Sequence, residues 1–511
     1  MCYCATYNII IGGTIKQRVL EMSDVIIGRE KEIETIGGML FSDRPEFLTV
    51  YGRRRIGKTF LIKNIMRQRK DIIFFHVTGM KDGSFKEQIR HFTDEIGNIF
   101  YDGARLESKK NWAETFLLLT DAIKRIRDKN KPIVLFFDEF PWMATKKSKL
   151  LQTLDHYWNH RWSDDKRIKL IICGSSSSWI VDKIVNNKGG LHNRITQNIR
   201  IEPFNLKETK DYLISRGINL KHNHIIQLYM VTGGVPYYLS HIKKGLSASQ
   251  AISTLAFSKD SLLLKEFNNL YTSLFENAEG YIDLIRIIYK KRHGISQPEI
   301  IEKSKYFSKG GRITKKLQEL EEAGFIISYV PYQHKKKGVF YRLIDEYTVF
   351  YFYWIESVRA KLKKIDLGTS YWEMLQKQPS WKSWSGYAFE ALCFKHLTQI
   401  RNALHISADA MIDSWRYSPR GEEKEGAQID LLFDRNDDAI TLCEIKYTNE
   451  PFTIDKNIAS TIERKAKVFK EQTRTKKQLF WAVISANGMK KTTYTEKLIV
   501  AVLVGEDLFK S

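Results

Sequence analysis

Phe47-Leu48-Thr49-Val50-Tyr51-Gly52-Arg53-Arg54-Arg55-Ile56-Gly57-Lys58-Thr59-Phe60 is the stretch from which the fold is read. Phe47 to Tyr51 reads as a buried strand, and Phe60 onward as a helix. Between them, Gly52 to Thr59 fits the pattern G-x-x-x-x-G-K-[ST]. The glycines let backbone N–H groups wrap phosphates, with Arg53, Arg54, Arg55 and Ile56 as the intervening loop positions. Lys58 reaches the β and γ phosphates, and the Thr59 hydroxyl ligates a magnesium ion. ATP and Mg²⁺ are therefore the expected cofactors.

Moving outward, Ile133-Val134-Leu135-Phe136-Phe137-Asp138-Glu139 is an apolar strand ending in two acids. Asp138 is expected on the metal side and Glu139 as general base. Lys169 to Cys173 leads into Gly174-Ser175-Ser176, which would place Ser175 near the γ phosphate as a polar sensor; the plainer reading is a serine-rich loop. Arg194, just before the run Gln197 to Ile201, is a candidate arginine finger, a role that calls for a neighbouring subunit and hence a homo-oligomer. With Asp71 to Val77, these runs alternate with amphipathic stretches, the signature of a parallel sheet covered by helices on both faces. An α/β P-loop core is expected over 22–206, and a helical lid over 207–280, interrupted at Gly233-Gly234-Val235-Pro236.

The segment 281–356 reads as a winged helix-turn-helix: a helix Tyr281 to Lys291, a second capped by Ser296 with Glu299, and a third from Gly311 to Ala323. Apolar runs Phe325 to Val330 and Val339 to Leu343 then flank a basic tip, His334 to Gly338. Lys309, Arg312, Lys315, Lys316 and Lys335 to Lys337 suit phosphate contacts; a solvated basic face is the alternative. Ala360 to Lys382 reads as a linker.

The 511 residues carry 82 Lys and Arg against 59 Asp and Glu, a net charge of +23. That balance favours a polyanionic partner, DNA above all, although charge alone decides little. Five scattered cysteines indicate neither a disulfide framework nor a zinc site, which fits a cytoplasmic setting. No apolar run approaches the roughly 18 residues of a membrane span. The first 21 residues read as an unstructured lead, with Met22 as an alternative start.

Together Ile27-Gly28-Arg29-Glu30, the P-loop string, Phe-Asp-Glu-Phe, Cys-Gly-Ser-Ser and Gly-Gly-Val-Pro-Tyr-Tyr-Leu make the chain from Met22 to about Glu356 similar to the archaeal-type AAA ATPases of the STAND-related branch. The resemblance implies that Arg29 and Pro236 flank the nucleotide base. It also implies that a winged helix and a C-terminal domain related to PD-(D/E)xK nucleases follow. The Arg-Phe pair expected before the aromatics of Tyr347 to Trp354 is missing.

The residues of 384–511 give a parallel argument for a second, restriction-endonuclease-like α/β domain. Gln428 to Phe433 is followed by a turn and by Ala439 to Tyr447, which carries Glu444-Ile445-Lys446. Residues two apart on a strand share a face, so Glu444 and Lys446 project together and a hairpin would bring Asp430 beside them. Two carboxylates can hold Mg²⁺ while a lysine orients or deprotonates a water. Glu390, on a helix Tyr387 to Thr398, would be a third acidic ligand. Two functions stay open: an ATP-driven, DNA-associated machine with a metal-dependent nuclease site, or a nucleotide-switched signalling or scaffold ATPase that binds a protein and cuts nothing.

Overall fold

Near-continuous apolar runs, buried on both faces, build the first sheet. In the computed structural model, which describes residues 26–186, 191–292, 294–307, 311–332, 338–362, 364, 367–368, 370–417 and 426–510, five parallel strands form it. They are β1 (Glu46–Tyr51), β2 (Ile73–Thr78), β3 (Ile133–Asp138), β4 (Ile168–Gly174) and β5 (Gln197–Arg200), in the order β2-β3-β4-β1-β5. Phe47, Leu135, Phe137 and Leu170 face one buried layer, while Leu48, Val134, Phe136 and Ile171 face the other. A sheet buried on both faces needs helices on both sides, and the crossover helices supply them. Because β4 lies between β1 and β3, the ends of three strands converge where the P-loop opens.

Helices Leu206–Ser215, His222–Thr232, Pro236–Leu239, Ala248–Ala256 and Leu262–Leu274 follow. Then come helices Ala278–Tyr289, Gln297–Lys303 and Gly311–Glu322 beside a small antiparallel sheet of β6 (Ile295–Ser296), β7 (Ile326–Tyr329) and β8 (Phe340–Leu343), ordered β6-β8-β7. Ser296 and Glu299 form the anticipated capping box, each satisfying the other's backbone N–H. The lead 1–21, Met22, Lys309 and the basic tip His334 to Lys337 lie outside the described residues.

The expected linker is structured instead. Helices Tyr371–Gln376 and Pro379–Lys395 occupy it, and Trp372, Trp381 and Trp384 pack into a core shared with Phe350 and Trp354. Tryptophan burial of this kind stabilises by several kcal/mol, which a solvated linker cannot match. The second sheet contains β9 (Met411–Tyr417), β10 (Ala427–Asp434), β11 (Ala439–Lys446), β12 (Gln478–Ser485) and β13 (Ile499–Val504), ordered β13-β12-β11-β10-β9. β9, β10 and β11 are antiparallel, whereas β11, β12 and β13 run parallel. One hydrophobic core runs from Phe204 in the helical segment through the small sheet to Phe509 at the end of the C-terminal domain.

Candidate functional sites

Gly52 and Gly57 let the chain turn tightly after β1. Gly52 has φ 145°, and a Cβ there would lie 2.2 Å from the Ile201 carbonyl oxygen; Gly57 has φ 91° at the start of helix Lys58–Arg67. The Lys58 ammonium, buried in this turn, donates to the carbonyls of Gly52 and Arg53 at 2.9 Å each and to Ser175 Oγ at 3.1 Å. Burial lowers its pKa below the ordinary lysine value. Thr59 Oγ1 donates to Asp138 Oδ2 at 2.8 Å.

At the end of β3, burial pushes the Asp138 carboxyl up, yet His76 at 3.9 Å and the hydrogen bond from Thr59 hold it below its usual range. Glu139 sits in the left-handed region at φ 45°. Its carboxylate accepts from Ser175 N at 3.2 Å and from Ser175 Oγ at 2.6 Å. Thus Lys58, Thr59, Asp138, Glu139 and Ser175, anticipated from three separate strand ends, meet in one network. A hydroxyl beside a carboxylate is the hard-oxygen donor set that suits Mg²⁺, so Thr59 and Asp138 fit that ion.

The side chains of two loop arginines are engaged with later segments of the chain. Arg53, 4% exposed, forms an ion pair with Asp345, 292 positions away, and its guanidinium lies 5.3 Å from the Phe325 ring centroid. Arg55 pairs with buried Glu266 and lies over the Tyr237 ring at 4.2 Å. Their side chains therefore tie the P-loop to later segments. Arg54 is half-buried. Pro236 opens its short helix, and the next residue's N–H reaches the Arg55 carbonyl at 3.4 Å. Arg29 is buried, donating to the Glu202 carbonyl at 2.7 Å and lying over Phe204. Gly28 and Arg29 line a cavity of about 860 Å³ together with Gly52 and Arg53. Arg194 is exposed on the turn His192–Arg194, apart from this network.

In the small sheet domain, two of the anticipated phosphate-contacting lysines are already engaged. Lys315 pairs with Asp182 of the first domain at 3.3 Å, and Lys316 contacts Tyr281 and Glu319. Helix Gly311–Glu322 rests against the first domain, where Arg200 also donates to the Glu322 carbonyl at 3.3 Å.

The C-terminal strands bring Asp430, Glu444 and Lys446 together as their spacing required, since Asp430 lies one step from the Leu431–Cys443 pair. Asp430 accepts from Ile445 N at 3.1 Å and from Gln428 Nε2 at 3.2 Å. Burial, then the charges of Glu444 and Glu390, push its carboxyl up to about 7. Burial pushes Glu444 up too, but Lys446 at 2.6 Å and Lys465 at 2.7 Å hold it below its ordinary value. Lys465 gave no sequence signal, because it comes from helix Lys456–Thr473, beyond the strand pair. Glu390 lies on helix Pro379–Lys395 and is held by Arg342 at 2.8 Å, while its charge bears on Asp430 and Lys446. Among the described residues no three His, Cys, Asp or Glu side chains are grouped to hold a metal ion. With Glu444 clamped by two ammonium groups and Glu390 by a guanidinium, this arrangement does not fit a divalent ion as it stands.

Among the described residues no helix is long and apolar enough to cross a membrane. Residues 26–242 match a family described as an ATPase domain predominantly from Archaea, and residues 354–463 match DUF234, archaeal and bacterial proteins of unknown function. The chain is 25% identical over 448 residues to the uncharacterized protein MJECL04 of Methanocaldococcus jannaschii, covering 87% of this chain and 92% of that one. Among solved structures it is similar to the Walker-type ATPase PABY2304 of Pyrococcus abyssi, with TM-score 0.43, 17% identity and coverage of 66% and 96% of the two chains. It is also similar to the Aeropyrum pernix ORC2 protein in ADPNP–ADP complexes, with TM-score 0.41, 14% identity and coverage of 66% and 94%. The first domain is thus similar to an archaeal-type P-loop ATPase domain, and the segment 354–463 to DUF234.

Proposed function

We propose that this chain binds and hydrolyses ATP at the P-loop, associates with DNA, and carries a nuclease-like site at Asp430, Glu444 and Lys446. The observation that carries the reading is the convergence of Lys58, Thr59, Asp138, Glu139 and Ser175 at one end of the parallel sheet. Backbone N–H groups of Gly52 to Thr59 and the Lys58 ammonium bind the phosphates. Thr59 and Asp138 would hold magnesium, which neutralises phosphate charge. Glu139 takes the proton from an attacking water, and Ser175, bonded to both Glu139 and Lys58, keeps the base beside the reacting phosphate. Arg29 and Pro236 flank the base, and Arg194 serves a neighbouring copy.

DNA association draws support from the net charge of +23 and from the order of helices and small sheet in 278–343, which follows a winged helix. The C-terminal reading draws on a hairpin that presents two carboxylates and a lysine on one site. A second reading, a nucleotide-switched scaffold with an inactive nuclease fold, is favoured by the two ammonium groups on Glu444 and by the docked helix Gly311–Glu322.

The test is ATP turnover together with cleavage of plasmid and linear DNA in Mg²⁺ or Mn²⁺, comparing the intact chain with Lys58→Ala and Lys446→Ala. Cutting that vanishes in Lys446→Ala and responds to ATP only when Lys58 is present supports the first reading. ATP hydrolysis without cutting under any condition selects the second, and absence of ATP binding rejects both.

A further inference from the structure

The ammonium of Lys58 holds the P-loop closed on itself through the carbonyls of Gly52 and Arg53. The side chain of that same Arg53 is the loop's buried tether to Asp345. Asp345 in turn caps helix Glu346–Phe350, accepting from Thr348 N at 2.9 Å and Thr348 Oγ1 at 2.6 Å. The next residue, Glu346, accepts from Lys395 Nζ at 2.5 Å. Lys395 is the last residue of helix Pro379–Lys395, whose Glu390 bonds Arg342 and whose Phe389 ring lies 5.5 Å from that of Tyr447, the residue after Lys446. Lys395 and Gln399 also line the cavity that Gly28, Arg29, Gly52 and Arg53 form on the nucleotide side.

We propose that helix Pro379–Lys395 transmits the state of the nucleotide site to the Asp430–Glu444–Lys446 cluster, an inference that rests on nucleotide binding at the P-loop. Phosphate oxygens compete for the Lys58 ammonium and draw it off the carbonyls of Gly52 and Arg53. The backbone at Arg53 is then free to shift, and its guanidinium, buried with Nε and one terminal nitrogen lacking hydrogen-bond partners, repositions against Asp345. Asp345 and Glu346 are consecutive and fully buried, so a shift at one moves the other and the Lys395 it holds. Glu390 and Lys395 lie about 7.5 Å apart along the C-terminal end of this helix, so that end moves as one piece between the two sites, because packed, charge-paired joints move between discrete arrangements rather than deforming smoothly. By linkage, a ligand at the C-terminal cluster changes nucleotide affinity by the same factor.

The test is amide hydrogen exchange of the full chain with and without saturating ATP or ADP, with nucleotide binding followed separately by calorimetry. ATP is expected to change exchange in 379–395 and 440–446 by about 5-fold or more. In Glu346→Gln, a near-isosteric change that releases Lys395, ATP still binds and the response at 379–395 is lost. Asp345→Asn is the second variant, with folding of both checked by circular dichroism. If the intact chain binds ATP and 379–395 does not respond, or if both folded variants respond as the parent does, the proposal is overturned while the nucleotide site stands. If the folded parent binds no ATP, both fall together.

Discussion

At the P-loop the ammonium of Lys58 rests on two carbonyls and a hydroxyl, whereas in the C-terminal sheet those of Lys446 and Lys465 rest on the carboxylate of Glu444. At both sites the ammonium makes charge-assisted hydrogen bonds of about 1.5–3 kcal/mol each, but only in the C-terminal sheet is the acceptor itself charged. An incoming phosphate, itself charged, therefore competes with neutral acceptors at the first site but faces a charge already neutralised at the second. One site is arranged to exchange its contacts with a ligand, and the other is arranged to keep them.

The largest expected effect sharpens the first half of that contrast. Glu139→Gln removes the base while leaving Lys58 and the loop in place, so ATP binding should persist while turnover falls about 10²- to 10⁴-fold. Unchanged turnover would strip Glu139 of its role.

Next comes the loop's charged anchor. Asp345→Ala leaves Arg53 buried without its counter-charge and should cost about 3–5 kcal/mol in denaturant unfolding. A cost below about 1 kcal/mol would mean that the Arg53–Asp345 pair is no anchor of the P-loop.

A third test reads the joint between the two regions by pH. His396 Nε2 accepts from Leu206 N at 3.0 Å and its Nδ1–H donates to the Leu392 carbonyl at 2.8 Å. Burial drops its pKa to about 4 from 6.5. Below pH 6.5 the unfolded chain binds a proton that the folded chain refuses, so stability falls as pH drops from about 6.5 to about 4. The loss is on the order of 3 kcal/mol. His396→Gln should flatten that slope; an unchanged slope would exclude His396 as its source.

The smallest effect bears on the second half of the contrast. Lys465→Met removes one of two donors to Glu444 and should lower stability by about 1.5–3 kcal/mol, read by thermal or denaturant unfolding. If it is neutral, the cluster is looser than its hydrogen bonds imply, and the contrast with the P-loop fails.

What the sequence disclosed follows the range of the forces involved. Short apolar runs and the Gly52–Thr59 spacing are local, so the five parallel strands appear within two residues of their expected bounds. The shared face of Glu444 and Lys446 is equally local, because it needs only the two-residue pleat. Arg53 with Asp345, Lys465 with Glu444 and Lys315 with Asp182 are ion pairs between distant segments, and among 82 basic residues nothing singles them out. The tryptophans of 372–384 were visible, but their burial depended on a partner surface from Phe350 and Trp354.

The core that runs unbroken from Phe204 to Phe509 sets how the polypeptide can be dissected. A cut after Glu356 would strip the cover from Phe350 and Trp354 and leave Trp372 and Trp384 on the excised piece without theirs. Neither fragment would be a clean cassette, and each would present a greasy scar inviting aggregation. The C-terminal domain therefore cannot be grafted onto another ATPase by joining ends alone; a working chimera must carry the matching aromatic face with it.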